Sequence, residues 1–358
     1  MKRAPALRGM TWDHPRACRP LEAFEATGAA PPVDWERQSL AEFEAHPIDE
    51  LAQRYDFMII DHPGLGAAVA AGALTAYEDL VDPAELHRWV AGSVGASGAS
   101  YRLGARTWAV PVDAAAQVAV RRPGVPVVHR WEDVLPVARE HPLTLCLAGP
   151  HAGLMLLAMC SGRQPADPGL LLDPAVAADA VALLREVFRT STREILDPVG
   201  VHESLEAGDG PAWCPLTYGY VTYAGTLAWS DAPSWRGTGP LSVLGGTGLA
   251  IAARSASDPS VSAWVRAFLD DRVQSGLVPR AGGQPAHRAV WESSRSFYAD
   301  TLATLEAAWV RPRYPGWITL QDQLSERIRE AIVAGRDPAA AIADVNRRHA
   351  ALLRAGER

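Results

Sequence analysis

Short apolar runs alternate with helix-compatible stretches over the first third of the chain. The apolar runs have the length of buried strands. Strands are predicted at residues 6–12, 33–37, 56–61 and 107–112, and helices at 19–27, 48–54 and 65–73. This alternation is typical of a parallel α/β sheet.

The pattern begins again after residue 113 and predicts a second α/β lobe. Its predicted strands are 117–121, 143–147, 213–223 and 249–253, and its predicted helices are 131–140, 151–160 and 174–189. From residue 257 the chain is almost entirely helical, with helices predicted at 259–274, 286–309, 319–334 and 338–353. These last helices are expected to pack over both lobes.

Polar and aromatic residues stand where three predicted strands end. The segments are Trp12-Asp13-His14-Pro15, Asp61-His62-Pro63 and Pro111-Val112-Asp113. Ligands of open parallel sheets bind beyond the carboxyl ends of the strands. We therefore expect the three loops to converge on one cleft.

His14 and His62 each stand between an aspartate and a proline. A proline makes a rigid turn, and a neighbouring carboxylate fixes the histidine tautomer, so both rings could face a ligand. Alternatively, the Asp and His residues cap the helices that follow. Nothing in the spacing demands a zinc ion on these residues, and we predict no metal.

Three further features are candidate ligand contacts. Tyr218, Tyr220 and Tyr223 could form a wall for a flat ligand, although an aromatic strand is more often ordinary core. Gly246 lies in a glycine-rich segment that permits close approach of a ligand but lacks dinucleotide-binding spacing, so we predict no cofactor. Candidate carboxylate partners are arginines in predicted loops, and Arg288 is favoured among Arg102, Arg280, Arg288 and Arg311.

Composition narrows the function classes. Lys and Arg number 34 against 41 Asp and Glu, and the net charge of -7 disfavours nucleic-acid binding. Lys2 is the single lysine, which excludes a Walker-type phosphate loop. The first residues do not have the pattern of a signal peptide, and no apolar run has the length expected of a membrane span. We expect a cytoplasmic protein without membrane insertion, or a periplasmic or extracellular one if a signal was trimmed.

With these residues in place, the chain resembles the family 1 extracellular solute-binding proteins, the sugar-type receptors of ABC importers. The likeness covers most of the chain. Each motif matches the family only loosely, but the order of the motifs along the chain supports the resemblance. It includes Tyr-Asp-Phe-Met-Ile-Ile-Asp at 55–61, Trp-Ala-Val-Pro at 108–111 and Gly-Gly-Thr-Gly-Leu-Ala-Ile at 245–251. It also includes residues 7–15, residues 283–288 and the closing helical pair.

The resemblance implies a type II periplasmic-binding-protein-like α/β fold, with a ligand cleft between two hinged lobes and a helical C-terminal region. It implies a first lobe of residues 1–112 plus about 246–300, and a second of 113–245 plus about 301–358. The family's ligand loops correspond here to Trp12, Asp13, His14, Asp61, His62, Asp113, the turn at 218–223, and Gly246.

Two functions are open at this point. The first is a binding protein that closes on a small polar ligand, which could be a sugar, a polyol or a carboxylated metabolite. An ABC permease is a possible partner only if the chain is exported. The alternative is an enzyme on the same fold, a metal-independent lyase, isomerase or hydrolase, with His14 or His62 as general acid or base.

Overall fold

A computed structural model describes residues 7–293 and 296–356. Its strands are β1 (Leu7–Trp12), β2 (Val33–Gln38), β3 (Phe57–Ile60), β4 (Arg102–Leu103), β5 (Arg106–Thr107), β6 (Ala109–Arg121), β7 (Trp213–Tyr218), β8 (Ala228–Ser230) and β9 (Leu244–Ile251). Its helices up to the middle of the chain are α1 (Pro15–Glu25), α2 (Leu40–Ala45), α3 (Ile48–Leu51), α4 (Leu65–Ala70), α5 (Pro83–Ala91), α6 (Ser97–Ser100), α7 (Val134–Ala138) and α8 (His151–Ser161). The remaining helices are α9 (Pro174–Thr190), α10 (Pro198–Ala207), α11 (Pro259–Phe268), α12 (Val278–Arg280), α13 (Arg288–Trp291), α14 (Ser296–Ala307), α15 (Trp317–Val333) and α16 (Ala339–Gly356).

The main sheet is mixed, with strand order β2-β1-β3-β9-β6-β7 and β8 also paired to β6. β1 is parallel to β2 and β3, whereas β9 is antiparallel to both β3 and β6. The four strands predicted in the first third therefore run in one direction, as expected. The expectation of a purely parallel sheet is wrong, because β9 returns from later in the chain and inserts between β3 and β6.

Strand β6 connects two sheet regions. Its residues 109–116 pair with β9, and its residues 117–121 pair with β7 and β8. The pairing with β9 shifts register between Pro111 and Asp113. The strand therefore passes from a first lobe, built on β1, β2, β3 and β9, into a second lobe that contains β7 and β8.

Each sheet region is covered by its own helices. On one face of the first region Phe24 of α1 and Trp264 of α11 pack with Phe57, and on the other face α3 and α4 pack with Met58. Helices α8, α9 and α15 contact one another, and their buried apolar side chains share a core with those of β7. The predicted lobe limit near residue 300 falls within helix α14, which contacts β8 and β6. The lobe limits stay a prediction.

Several predicted elements differ from those observed. The strand predicted at 143–147 is reduced to isolated bridges, because Leu143 pairs with Trp213 and Cys146 with Leu196, so no continuous ladder forms. The strand predicted at 213–223 ends at Tyr218, and a 3-10 turn follows at Val221–Tyr223. The helix predicted at 286–309 is divided into α13 and α14. Residue 6, the first of the strand predicted at 6–12, and residues 294–295, between α13 and α14, lie outside the described residues. Within the described ranges, none of the helices combines the length and apolar character needed to cross a bilayer.

Candidate functional site

The ends of β1, β3 and β7 meet at a small cavity of about 60 Å³. Its wall contains five of the residues predicted as ligand contacts, together with Arg16, Phe43 and Arg311. The five are Trp12, Asp61, Tyr218, Tyr220 and Gly246. Of the three loops predicted to converge, those after β1 and β3 meet here, whereas residues 111–113 lie within β6 and not at a strand end, and the segment around the end of β7 supplies the remaining aromatic wall.

A larger cavity of about 660 Å³ adjoins the small one. Phe43, Asp61 and Arg311 line both cavities. The large cavity also lies against the 149–150 loop before α8 and the first turns of α15. A volume of this size falls within the range of small-molecule clefts. We call the two cavities together the cleft.

Asp61 and Arg311 form a charge pair between the two cavities. Arg311 Nη2 lies 2.6 Å from Asp61 Oδ2, and the arginine side chain is only 5% exposed. Burial alone would raise the pKa of Asp61, but Arg311 and His62 outweigh it and lower the pKa to about 2. Asp61 is therefore a carboxylate at neutral pH, and much of its hydrogen-bonding capacity is already directed at the protein.

Arg16 and Asp113 form a second pair beside the small cavity. Arg16 Nε donates to Asp113 Oδ2 at 2.7 Å, and Nη2 donates to Asp113 Oδ1. The Arg16 guanidinium also lies 4.6 Å from the Tyr220 ring centroid. Asp113, a predicted ligand contact, is thus engaged by both of its oxygens.

Some charged side chains of the large cavity have hydrogen-bond partners in the protein and others do not. Arg329 Nη1 donates to the carbonyl oxygen of Gly149 at 3.2 Å. Across residues 7–293 and 296–356, the lining carboxylates Asp49, Asp322 and Glu326 have no hydrogen bond or ion pair. Burial raises the pKa of Asp322. The arginines that line the cleft therefore have protein partners, whereas three carboxylates are open to a ligand.

His14 and His62 lie behind the cleft, and among the described residues neither belongs to the lining of the two cavities. His14 Nδ1 accepts from the backbone N–H of Arg16 at 3.2 Å and so caps α1, and its ring stacks on Trp12 with centroids 4.8 Å apart. His62 is fully buried, with Nδ1 3.2 Å from Asp61 Oδ1. Burial lowers the pKa of each histidine to about 4. His14 therefore takes the capping role that was one of its two predicted roles.

Four buried histidines should make stability fall in mild acid. Burial also lowers the pKa of His151 and His202 to about 3. The unfolded chain binds these protons near pH 6.5 and the folded chain does not, so the free energy of unfolding decreases from pH 6.5 toward 4. Each histidine contributes up to about 1.4 kcal/mol per pH unit. Urea unfolding at pH 7, 6 and 5 measures this slope.

In the His62→Gln variant the free energy of unfolding should depend less steeply on pH, because one fewer proton is taken up on unfolding. An unchanged slope in His62→Gln would contradict the assignment of a neutral, buried His62.

The other predicted contacts lie farther from the cleft wall. Asp13 is exposed, 3.8 Å from Arg37. Tyr223 stacks on His202 with ring centroids 4.7 Å apart. Arg288 of α13 pairs with Glu292, just after that helix, and with Glu306 of α14. In the described part of the chain it is not among the lining residues. The structure does not bring these three residues to the cavities.

Sequence reasoning missed Arg16 and Phe43 and did not favour Arg311. Arg16 follows the Asp-His-Pro turn directly, and this position in the first turn of a helix was a usable signal. Phe43 comes from α2, which no prediction included. In the described ranges, no three His, Cys, Asp or Glu side chains are grouped as a metal site requires.

Comparisons with known proteins give a fold but no sequence family. No protein-family model and no curated protein sequence matches the chain. The GacH receptor of Streptomyces glaucescens, solved unliganded and with acarbose and an acarbose homolog, is similar with a TM-score of 0.80 and 16% identity over 98% of both chains. An ABC transporter solute-binding protein of Agrobacterium radiobacter K84, in complex with ribitol, is similar with a TM-score of 0.73 and 18% identity over 97% of this chain and 98% of that one. The chain therefore has the two-lobed α/β fold of the solute-binding proteins of ABC transporters.

Proposed function

We propose that the protein is a receptor that closes its two lobes on a small hydroxylated ligand, a sugar or polyol without net negative charge. The observation that carries the proposal is the charge balance of the cleft. The guanidinium groups of Arg16 and Arg311 are paired with Asp113 and Asp61, so neither is poised to bind a ligand carboxylate. Hydroxyl groups can instead donate to the lining carboxylates.

The shape and composition of the cleft support this ligand class. Aromatic rings of Trp12, Phe43, Tyr218 and Tyr220 line the small cavity, and sugar rings pack on such surfaces. Polar groups surround the large cavity, whose volume of about 660 Å³ has room for more than one sugar ring. A carboxylated metabolite, the other ligand considered from the sequence, would meet the unpaired Asp49, Asp322 and Glu326.

A catalytic role for His14 or His62 has less support. A general acid or base must come within hydrogen-bond reach of the substrate. The Nδ1 atom of His14 is occupied by the cap of α1, and His62 is fully buried beside Asp61. A receptor that needs no proton transfer fits these positions better. Export and an ABC permease partner stay predictions.

Matched ligand pairs test the proposal. Thermal shift and calorimetric titration would compare ribitol with ribonate, and maltotriose with its aldonic acid, at constant ionic strength. We expect a neutral member to bind and its carboxylate counterpart to bind at least tenfold more weakly. Tighter binding of the acids would contradict the proposal.

A variant pair locates the binding site. Phe43 lines both cavities, so Phe43→Ala should weaken the binding of the neutral ligand by about tenfold or more. Trp89 is a half-buried aromatic residue of α5 outside that lining, and Trp89→Ala should leave the affinity unchanged. Equal effects of the two substitutions would place the ligand elsewhere.

A further inference from the structure

Arg16 contacts residues on both sides of the cleft. It belongs to α1, which follows β1 of the first lobe, and its side chain is 3% exposed. Its guanidinium holds both oxygens of Asp113, donates to the carbonyl oxygen of Gly219 at 3.3 Å, and lies over the Tyr220 ring. Gly219 and Tyr220 directly follow β7 of the second lobe. Arg16 is therefore one buried link between the two lobes, beside the ring contacts of Trp12 and His14 with Tyr220.

The Arg16 partner on β6 stands where that strand is irregular. Asp113 lies at the register shift between β6 and β9. On β9, Gly246 pairs with Ala114 and has a φ of +98°, and an added Cβ would lie 2.4 Å from the Asp113 carbonyl oxygen. A bulge bends the strand that carries it, so β6 changes direction here, shortly before it passes from β9 to β7 and β8. Arg16 thus contacts the bend and the second lobe at once.

The contact of Arg16 with the second lobe can be removed without leaving Gly219 unsatisfied. Gln284 Nε2 also donates to the Gly219 carbonyl oxygen, at 3.1 Å. Gln284 Oε1 accepts from the backbone N–H of Val221 at 2.9 Å. The segment after β7 is therefore supported by Gln284, and Arg16 adds the cation–π contact to Tyr220 and the link to Asp113.

We propose that Arg16 is a positioning residue, a latch that fixes the Tyr220 wall of the cleft to the bend in β6 and sets the proportion of molecules whose lobes are closed. A buried cation over an aromatic face contributes most when both are desolvated, as they are when the lobes are in contact. Opening the lobes separates Arg16 from Tyr220, while the Arg16–Asp113 pair stays within the first lobe and β6. The latch therefore acts on closure rather than on folding of either lobe.

Distance measurements between spin labels on the two lobes test the latch. Labels would be attached at the exposed positions Asp34→Cys on β2 and Glu203→Cys on α10, since Cys18, Cys146, Cys160 and Cys214 are all buried. We expect Arg16→Met to raise the ratio of long to short interlobe distances by about tenfold, the change that loss of one desolvated cation–π contact produces. Arg16→Lys should restore part of the short-distance population.

Two further variants test the latch even if Arg16→Met folds poorly. Tyr220→Leu removes the aromatic face but retains the Arg16–Asp113 pair, and it should give the same shift toward long distances. Arg130→Met, which breaks an exposed pair with Asp133, should leave the distances as in the native protein. Unchanged distances in Tyr220→Leu would overturn the latch. The measurement uses no ligand, so this outcome is independent of the proposed binding function.

Discussion

Replacing Asp61 with alanine is expected to lower the free energy of unfolding by about 3 kcal/mol, because the buried charge of Arg311 loses its carboxylate partner. Gln321 Oε1, 3.3 Å from Arg311 Nη1, offsets only part of this loss. Urea unfolding at pH 7 measures the change. Asp61→Asn should cost less, since its one amide oxygen can still accept from Arg311, while its NH2 group then faces the backbone N–H of His62.

A double-mutant cycle separates the lost pair from the lost side chain. Arg311→Met combined with Asp61→Ala removes both charges and should recover most of the stability lost in Asp61→Ala alone, because no buried charge is left unpaired. Additive losses in the double variant would contradict the assignment of a coupled pair. Both variants should weaken ligand binding, since both residues line the two cavities.

Replacing Gly66 with alanine is expected to destabilise the protein by about 2–4 kcal/mol, although alanine is the better helix former by about 1 kcal/mol. Gly66 is in α4, and an added Cβ would lie 1.7 Å from the carbonyl oxygen of Arg313. That oxygen belongs to backbone held by Arg313 Nη1, which donates to the carbonyl oxygens of Ala99, Ser100 and Arg102. The segment cannot move away without breaking these bonds.

The displacement caused by Gly66→Ala should also reach the cleft, because Arg311 lies two residues before Arg313. Thermal unfolding and titration with the neutral ligand measure the two effects. Gly225→Ala is the matched control, since no atom lies within 4 Å of its added Cβ. Equal stability of Gly66→Ala and Gly225→Ala would show that the close contact between α4 and the 311–314 segment is absent in solution.

Strand direction made part of the cleft predictable. β1, β2, β3 and the first part of β6 run in one direction, so residues after β1 and β3 had to meet at one edge. Trp12 and Asp61 accordingly line the same small cavity. The second lobe could be predicted for a different reason. The strand-and-helix pattern begins again after residue 113, and a second set of strands needs helices of its own to cover it.

Partners distant in sequence could not be predicted. Asp61 and Arg311 are 250 residues apart, and Arg16 and Asp113 are 97 apart. Nothing local indicates which arginine meets which carboxylate, so Arg288 was as good a choice as Arg311. The structure pairs Arg288 with Glu292 one helical turn away and with Glu306. Local patterns also missed the insertion of β9, because strand order depends on the whole chain.

Native mass spectrometry would show directly whether the protein carries a sugar or polyol. Protein purified from its own host would be measured before and after incubation with the host's small-molecule extract, and any bound compound would be released and identified. We expect one neutral or positively charged polyhydroxylated compound per chain, which Phe43→Ala releases and Trp89→Ala retains. A bound carboxylate, or no mass shift under either condition, would contradict a receptor for sugars or polyols.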